Sequence, residues 1–120
     1  MGQFRVLDPA CGCGNFLFVA YHAMRDLEMS LIEKIATNFS VRATRSLQLG
    51  VSRITTDQFL GIDILPIAVE VAKMTMMVAK EQAADKWNHR ILPLMSSLNL
   101  SIGAGLPLDR LDDVIVEADA

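Results

Sequence analysis

Positive charge is in short supply in this chain of 120 residues. Eleven Lys and Arg stand against 14 Asp and Glu, for a net charge of -3 and a pI near 5.2. A main nucleic-acid contact surface normally shows as a basic excess, so this chain is not read as one. Cysteine is scarce too. Cys11 and Cys13 are the only pair, one residue apart, which rules out a disulfide framework. His22 and His89 fall in unrelated segments without zinc-type spacing, so no metal site is expected. No apolar run approaches the ~20 residues of a membrane span. The first residues lack a charged stretch followed by an apolar core, so no signal peptide is expected. Two unpaired thiols fit a reducing cytoplasm. The four prolines, Pro9, Pro66, Pro93 and Pro107, are all isolated.

What is present is a core-forming sequence. Hydrophobic residues make up 52% and mean hydropathy is +0.33, which suits one small folded domain. Its organising stretch is Val6-Leu7-Asp8-Pro9-Ala10-Cys11-Gly12-Cys13-Gly14-Asn15-Phe16-Leu17. An apolar run ends in an acid, a loop of small residues with two glycines follows, and a helix begins at once. Strand, glycine loop and helix in that order bring backbone close to a small polar ligand.

The pattern predicts a strand over 4–7, stopped by Asp8-Pro9. Asn15 is placed to cap a helix over 16–36. Leu17, Ala20, Met24, Leu27, Leu31 and Ile35 recur at three- and four-residue steps and predict its buried stripe. His22 and Arg25 fall off that stripe and read as solvated. Residues 35–56 hold no acid but carry Arg42, Arg45 and Arg53; we read them as a solvated connector. A second strand is predicted over 58–64, ending in Asp63-Ile64. Pro66 suits the first turn of a helix running to about residue 84. Ala68, Val71, Ala72, Thr75, Met76, Ala79 and Ala83 are predicted to line one side of it. Asp85 to His89 read as its end, with Trp87 a packing anchor. Residues 92–107 read as loop with a short extra strand over 98–102. Residues 113–120 read as a third strand ending in Asp119-Ala120. The expected plan is β–α–β–α–β. Right-handed crossovers fold it into an α/β unit, the parallel three-stranded half of a Rossmann-like layer.

Three successive strands thus end in an acid: Asp8, Asp63 and Asp119. One such acid is ordinary, as a cap or turn residue. Three behind a Gly-x-Gly loop make a constellation. The loop lets backbone groups approach a ligand without Cβ clashes. An acid after the second strand can accept hydrogen bonds from both hydroxyls of a ribose. An acid after the third can accept from the exocyclic amine of a base, and Asp8 favours a cationic group near the loop. The ligand this describes is a nucleoside with a cationic tail. A nicotinamide dinucleotide fits less well, because Leu17 stands where its fingerprint has a third small residue and Asp63 comes too late. A P-loop is excluded, since no Gly-Lys-Ser/Thr follows.

Asp8 to Leu17 resembles the S-adenosylmethionine loop of adenine-specific DNA methyltransferases, especially those of bacterial restriction-modification and phage defence. Phe59-Leu60-Gly61-Ile62-Asp63-Ile64 with Pro66 and the Ala-Val-Glu-Val-Ala-Lys helix resembles their second motif. Residues 108–120 resemble the approach to their third. The resemblance implies that Asp8, Pro9, Ala10, Cys11, Gly12 and Gly14, with Asn15 and Phe16 beside them, hold the methionine part of the cofactor. It implies that Asp63 binds the ribose hydroxyls and that Ile64 packs near the adenine ring. It implies that Asp119 accepts from the adenine amine with Ala120 beside it. The family's catalytic Asn/Asp-Pro-Pro-aromatic motif is missing from these 120 residues. So is a target-recognition region. The implied protein is therefore the cofactor-binding part of an N6-adenine methyltransferase, meeting DNA mainly through other regions and not expected to methylate unaided. In the parent fold the first strand pairs on both sides. Here one of its edges is expected to lack a partner and to promote self-association. Two alternatives stand beside this reading: a non-catalytic binding module that keeps the half-Rossmann fold, and the cofactor half of an RNA, protein or small-molecule methyltransferase, against which the Asp8-Pro9-Ala10-Cys11-Gly12 opening counts.

Overall fold

The computed structural model describes residues 3–38, 52–97 and 115–118. Strand β1 (Val6–Asp8) leads through the glycine loop into helix α1 (Asn15–Asn38). A short 3-10 turn (Thr56–Gln58) opens strand β2 (Phe59–Asp63), followed by helix α2 (Pro66–Ser97) and strand β3 (Ile115–Glu117). The three strands form one parallel sheet in the order β1-β2-β3. Val6 pairs with Phe59 and Asp8 with Gly61; Gly61 pairs with Ile115 and Asp63 with Glu117. This small α/β arrangement is compatible with half of a Rossmann-like layer, as the alternation of patterns predicts. The extra strand predicted over 98–102 lies outside the described residues.

Strand β1 starts later than the sequence suggests. Phe4 stays out of the ladder because the Gln58 side-chain amide takes its carbonyl (3.1 Å) while its ring packs edge-on against Phe59 (5.7 Å). Side chains alternate across the sheet. Phe59, Gly61 and Ile115 are buried beneath the two helices. Leu7 and Val116, on the other face, are exposed.

The buried face of α1 differs from the predicted stripe. Leu17, Tyr21, Arg25, Glu28, Met29 and Ile32 are buried, whereas Leu27 and Leu31 lie open. The reason is polar. Glu28 accepts hydrogen bonds from Ser52 Oγ (2.6 Å) and the Arg53 amide (2.6 Å). Arg25 donates to the Tyr21 hydroxyl (3.2 Å) and lies over the rings of Tyr21 and Trp87, 5.8 and 5.3 Å from their centroids. Charged groups enter a core when hydrogen bonds and ring faces replace water. Glu28 thereby fastens the chain just ahead of β2. Arg53 uses its backbone here; Arg42 and Arg45 lie outside the described residues.

Helix α2 also corrects the prediction. It does not end at residues 85–89 but continues to Ser97, passing through Pro93. Two rows of contacts carry it. Val69, Ala72, Met76, Ala79 and Ala83 join the main core, where the small side chains let the helix sit close. Beyond the short strands, Trp87 and Ile91 meet Met29 and Ile32 of α1 in a second cluster. Trp87 is thus a packing anchor, but in mid-helix. Asp26–Lys86 (3.3 Å) and the two-pronged Glu33–Arg90 contact (2.9 Å each) tie the helices at the surface. Exposed pairs of this kind add little stability but fix alignment.

His22 is not simply solvated. Its Nε2 donates to Gln82 Oε1 (3.1 Å), its ring meets Phe18 edge-on, and its Nδ1 is buried without a partner. Burial first, and Lys86 second, lower its pKa below the ordinary 6.5. Below that value the unfolded chain binds more protons than the folded one. Stability therefore falls as pH drops from about 6.5 toward the lower folded-state value. Urea midpoints taken from about pH 7.5 to about pH 5.5 will fall more steeply for the wild type than for His22→Gln.

Candidate functional site

At the carboxyl ends of β1 and β2 the loop from Asp8 to Gly14 lies down on the sheet. Gly61 makes this contact. A Cβ built on Gly61 comes within 2.9 Å of Cys11 Sγ and of Leu17 Cδ1. The Cys11 side chain is buried there, and its amide donates to the Ile62 carbonyl (2.9 Å). Gly14 has φ +87°, and a Cβ on it would stand 3.3 Å from Ala72 of α2. Gly12 has φ +54° and open space where a side chain would be. Both glycines thus need a left-handed backbone.

The loop's hydrogen bonds are divided with consequence. Gly12 N–H donates to Asp63 Oδ2 (3.0 Å), across 51 residues of sequence. Asp63 Oδ1 accepts from the Leu65 amide (2.9 Å). Asp8 Oδ1 accepts from Ala10 N–H (3.2 Å), and Gly14 N–H reaches the Cys11 carbonyl (2.9 Å). The Gly14 carbonyl receives the Phe18 amide (2.8 Å), the first bond of α1. Gly14, not Asn15, therefore holds the cap place, and Asn15 is the first helical residue. Among the described residues, the N–H groups of Cys13, Asn15, Phe16 and Leu17 remain uncommitted. They sit at the positive end of a 24-residue helix, where anionic groups are favoured.

Of the sequence-predicted residues, Asp8, Pro9, Ala10, Gly12, Asn15, Phe16, Asp63 and Ile64 gather at this one end of the sheet. Pro9, Ala10, Asn15, Phe16 and Ile64 are exposed, and Asp8 and Asp63 are partly so. Cys11 is there too, but its side chain and its amide are both turned inward. Asp119 and Ala120 lie outside the described residues. Just before them, the Ala118 amide donates to the Asp63 carbonyl (2.8 Å), tying the end of β3 to the same corner. Sequence reasoning missed the parts played by Gly61, Ala72 and the Leu65 amide. A glycine inside a strand signals a close approach. An Asp two residues before an accessible amide signals an Asx-type turn. Both signals were present.

Burial raises the pKa of the Cys11 thiol, and the nearby Asp63 and Asp8 carboxylates raise it further. Cys11 therefore stays protonated and inert, while Cys13 on the same loop is exposed. Among the described residues no group of three His, Cys, Asp or Glu side chains is placed to hold a metal ion, and no helix is long and apolar enough to cross a membrane.

Comparison with known proteins settles the family. The family described as "MmeI, DNA-methyltransferase domain" matches residues 1–119. The chain belongs to this family. It is also similar to DNA methyltransferase A of Bacillus subtilis (strain 168), with 29% identity over 114 residues, covering 95% of this chain. The match spans only 12% of that relative's length. No solved structure matches.

Two measurements check the geometry of this methyltransferase-family loop. Gly61→Ala will cost about 1–3 kcal/mol in urea unfolding, because the added methyl overfills a closed contact. Under native conditions a thiol alkylating reagent will label Cys13 quickly and Cys11 at least about tenfold more slowly, as exposure and thiolate fraction require. Equal labelling would contradict the burial of Cys11.

Proposed function

We propose that this chain is the S-adenosylmethionine-binding part of a DNA methyltransferase that acts on the N6 amine of adenine. The observation that carries the reading is the Gly12 N–H to Asp63 Oδ2 bond. It joins the two most specific sequence motifs into one corner. The residues present fit the cofactor's groups. Open space stands in front of Gly12. The uncommitted N–H groups of Cys13, Asn15, Phe16 and Leu17 suit a carboxylate. Asp8 suits an ammonium or sulfonium charge. Asp63 suits a ribose diol, and exposed Ile64 offers an apolar surface to a purine. Asp119, with Ala120, is assigned to the purine's amine.

When bound, S-adenosylmethionine supplies an electrophilic methyl group. The chain's own residues bind and orient; none of them is assigned a proton-transfer role. Adenine specificity rests on the Asp8-Pro9-Ala10-Cys11-Gly12 opening and its resemblance to that class. Contact with DNA is assigned to parts of a longer protein, consistent with the acidic balance of this segment. The setting proposed is cytoplasmic restriction-modification or phage defence, where two free thiols remain reduced.

Calorimetry with S-adenosylmethionine tests the reading. Binding is expected, and Asp63→Ala is expected to weaken it by about tenfold or more, the scale of a lost charge-assisted hydrogen bond. Tight binding that ignores Asp63→Ala would overturn the assignment. The chain alone, mixed with cofactor and DNA, is expected not to methylate adenine. The outer edge of β1 is unpaired among the described residues, so self-association is proposed through it. Size-exclusion elution that does not change with concentration would contradict that.

A further inference from the structure

Asp63 is already spoken for before any ligand arrives. Both of its carboxylate oxygens accept a backbone N–H, one from Gly12 (3.0 Å) and one from Leu65 (2.9 Å). A carboxylate has about four acceptor positions, two on each oxygen. One position on each oxygen therefore remains. We propose that Asp63 is the clasp that fixes the glycine loop in the free protein, and that it does so while keeping one acceptor position per oxygen for a vicinal diol. The clasp stands on the free structure alone; its ligand half rests on the function proposed above.

The arrangement makes a demand that ribose binding alone does not. An asparagine at 63 keeps the shape but replaces one oxygen with an NH2 group, which is a donor only. Turned one way, that NH2 meets the Gly12 N–H. Turned the other way, it meets the Leu65 N–H. Either orientation sets donor against donor and costs one of the two bonds. A residue acting only on ribose could lose half its contacts in Asn and leave the loop untouched. A clasp cannot. The consequence extends along the loop. The Gly12 bond, the Cys11 amide on Ile62 and the Gly61–Cys11 contact tie the loop to β2. Loss of the first frees the stretch that carries Gly12 and Cys13, next to the uncommitted amides.

Amide hydrogen exchange on the intact chain reads this directly. In the wild type the Gly12 amide is expected to exchange at least about tenfold more slowly than the neighbouring Cys13 amide, which has no acceptor among the described residues. In Asp63→Asn, either Gly12 or Leu65 is expected to lose that protection, while the Ala72, Met76 and Ala79 amides of α2 keep theirs. A Gly12 amide that exchanges as fast as Cys13 in the wild type would overturn the clasp. So would full protection of both Gly12 and Leu65 in Asp63→Asn. Should that variant fail to fold, a through-bond coupling between the Gly12 nitrogen and the Asp63 carboxylate carbon in the wild type decides the matter, its presence supporting the clasp and its absence overturning it. Adenosine and 2′-deoxyadenosine then test the free acceptor positions. Adenosine is expected to bind at least tenfold more tightly and to leave Gly12 protected. Adenosine binding that unprotects Gly12 would show the ribose displacing the loop, and would overturn the sharing. Failure of adenosine to bind, with Gly12 protected, would count against the proposed function and leave the clasp standing.

Discussion

The glycine loop can lie on the sheet only because Gly61 has no side chain. Strand β2 is the central strand, so whatever lies against its middle residue is held from both sides. Cys11 Sγ and Leu17 Cδ1 occupy the place a Cβ would take, each 2.9 Å from it. That contact sets the depth of the loop. The depth in turn puts the Gly12 amide within reach of Asp63, and the left-handed turn at Gly14 starts α1 against Ala72 of α2. Strand end, loop and both helix starts are therefore adjusted to one another through a single missing methyl group.

Away from this corner the molecule is less self-sufficient. A parallel sheet is ordinarily covered on both faces, yet Leu7 and Val116 lie open on the face opposite the helices. Ile67, Met74 and Met77 on α2 and Phe16 and Val19 on α1 are exposed as well. The Bacillus subtilis relative is much longer, the match covering 12% of it, so other segments are available there to cover such surfaces. The polar interior works the other way. Glu28 and Arg25 hold the chain ahead of β2 from inside α1, and so fix where β2, and with it Asp63, begins.

The element order, the parallel sheet and the loop were legible in the sequence because each rests on local chemistry: small residues, glycines, and an acid closing an apolar run. The face of α1 was not. Leu27 and Leu31 look like core residues and Arg25 and Glu28 look like surface, and periodicity counts only side-chain polarity. The partners that make Arg25 and Glu28 buriable, Trp87, Ser52 and Arg53, come from distant parts of the chain. The length of α2 was hidden for a related reason. The stretch 85–89 read as its end, but the contacts of Trp87 and Ile91 with Met29 and Ile32 outweigh that local signal and the helix runs on through Pro93. In the site, the acids were visible and the Asx-type tie of Asp63 to Leu65 was readable from its local spacing, but the tie to Gly12 was not, because it joins backbone and side chain across 51 residues.

The central proposal is that S-adenosylmethionine sits at the corner formed by the loop and Asp63, its methionine end on the loop and its ribose at Asp63. An amide chemical-shift titration of the chain with S-adenosylhomocysteine tests it most directly. The account predicts that saturable shifts concentrate at residues 12–17 and 63–65. Shifts confined instead to the groove between the helices, around His22, Gln82 and Lys86, or no shifts at all, would contradict it.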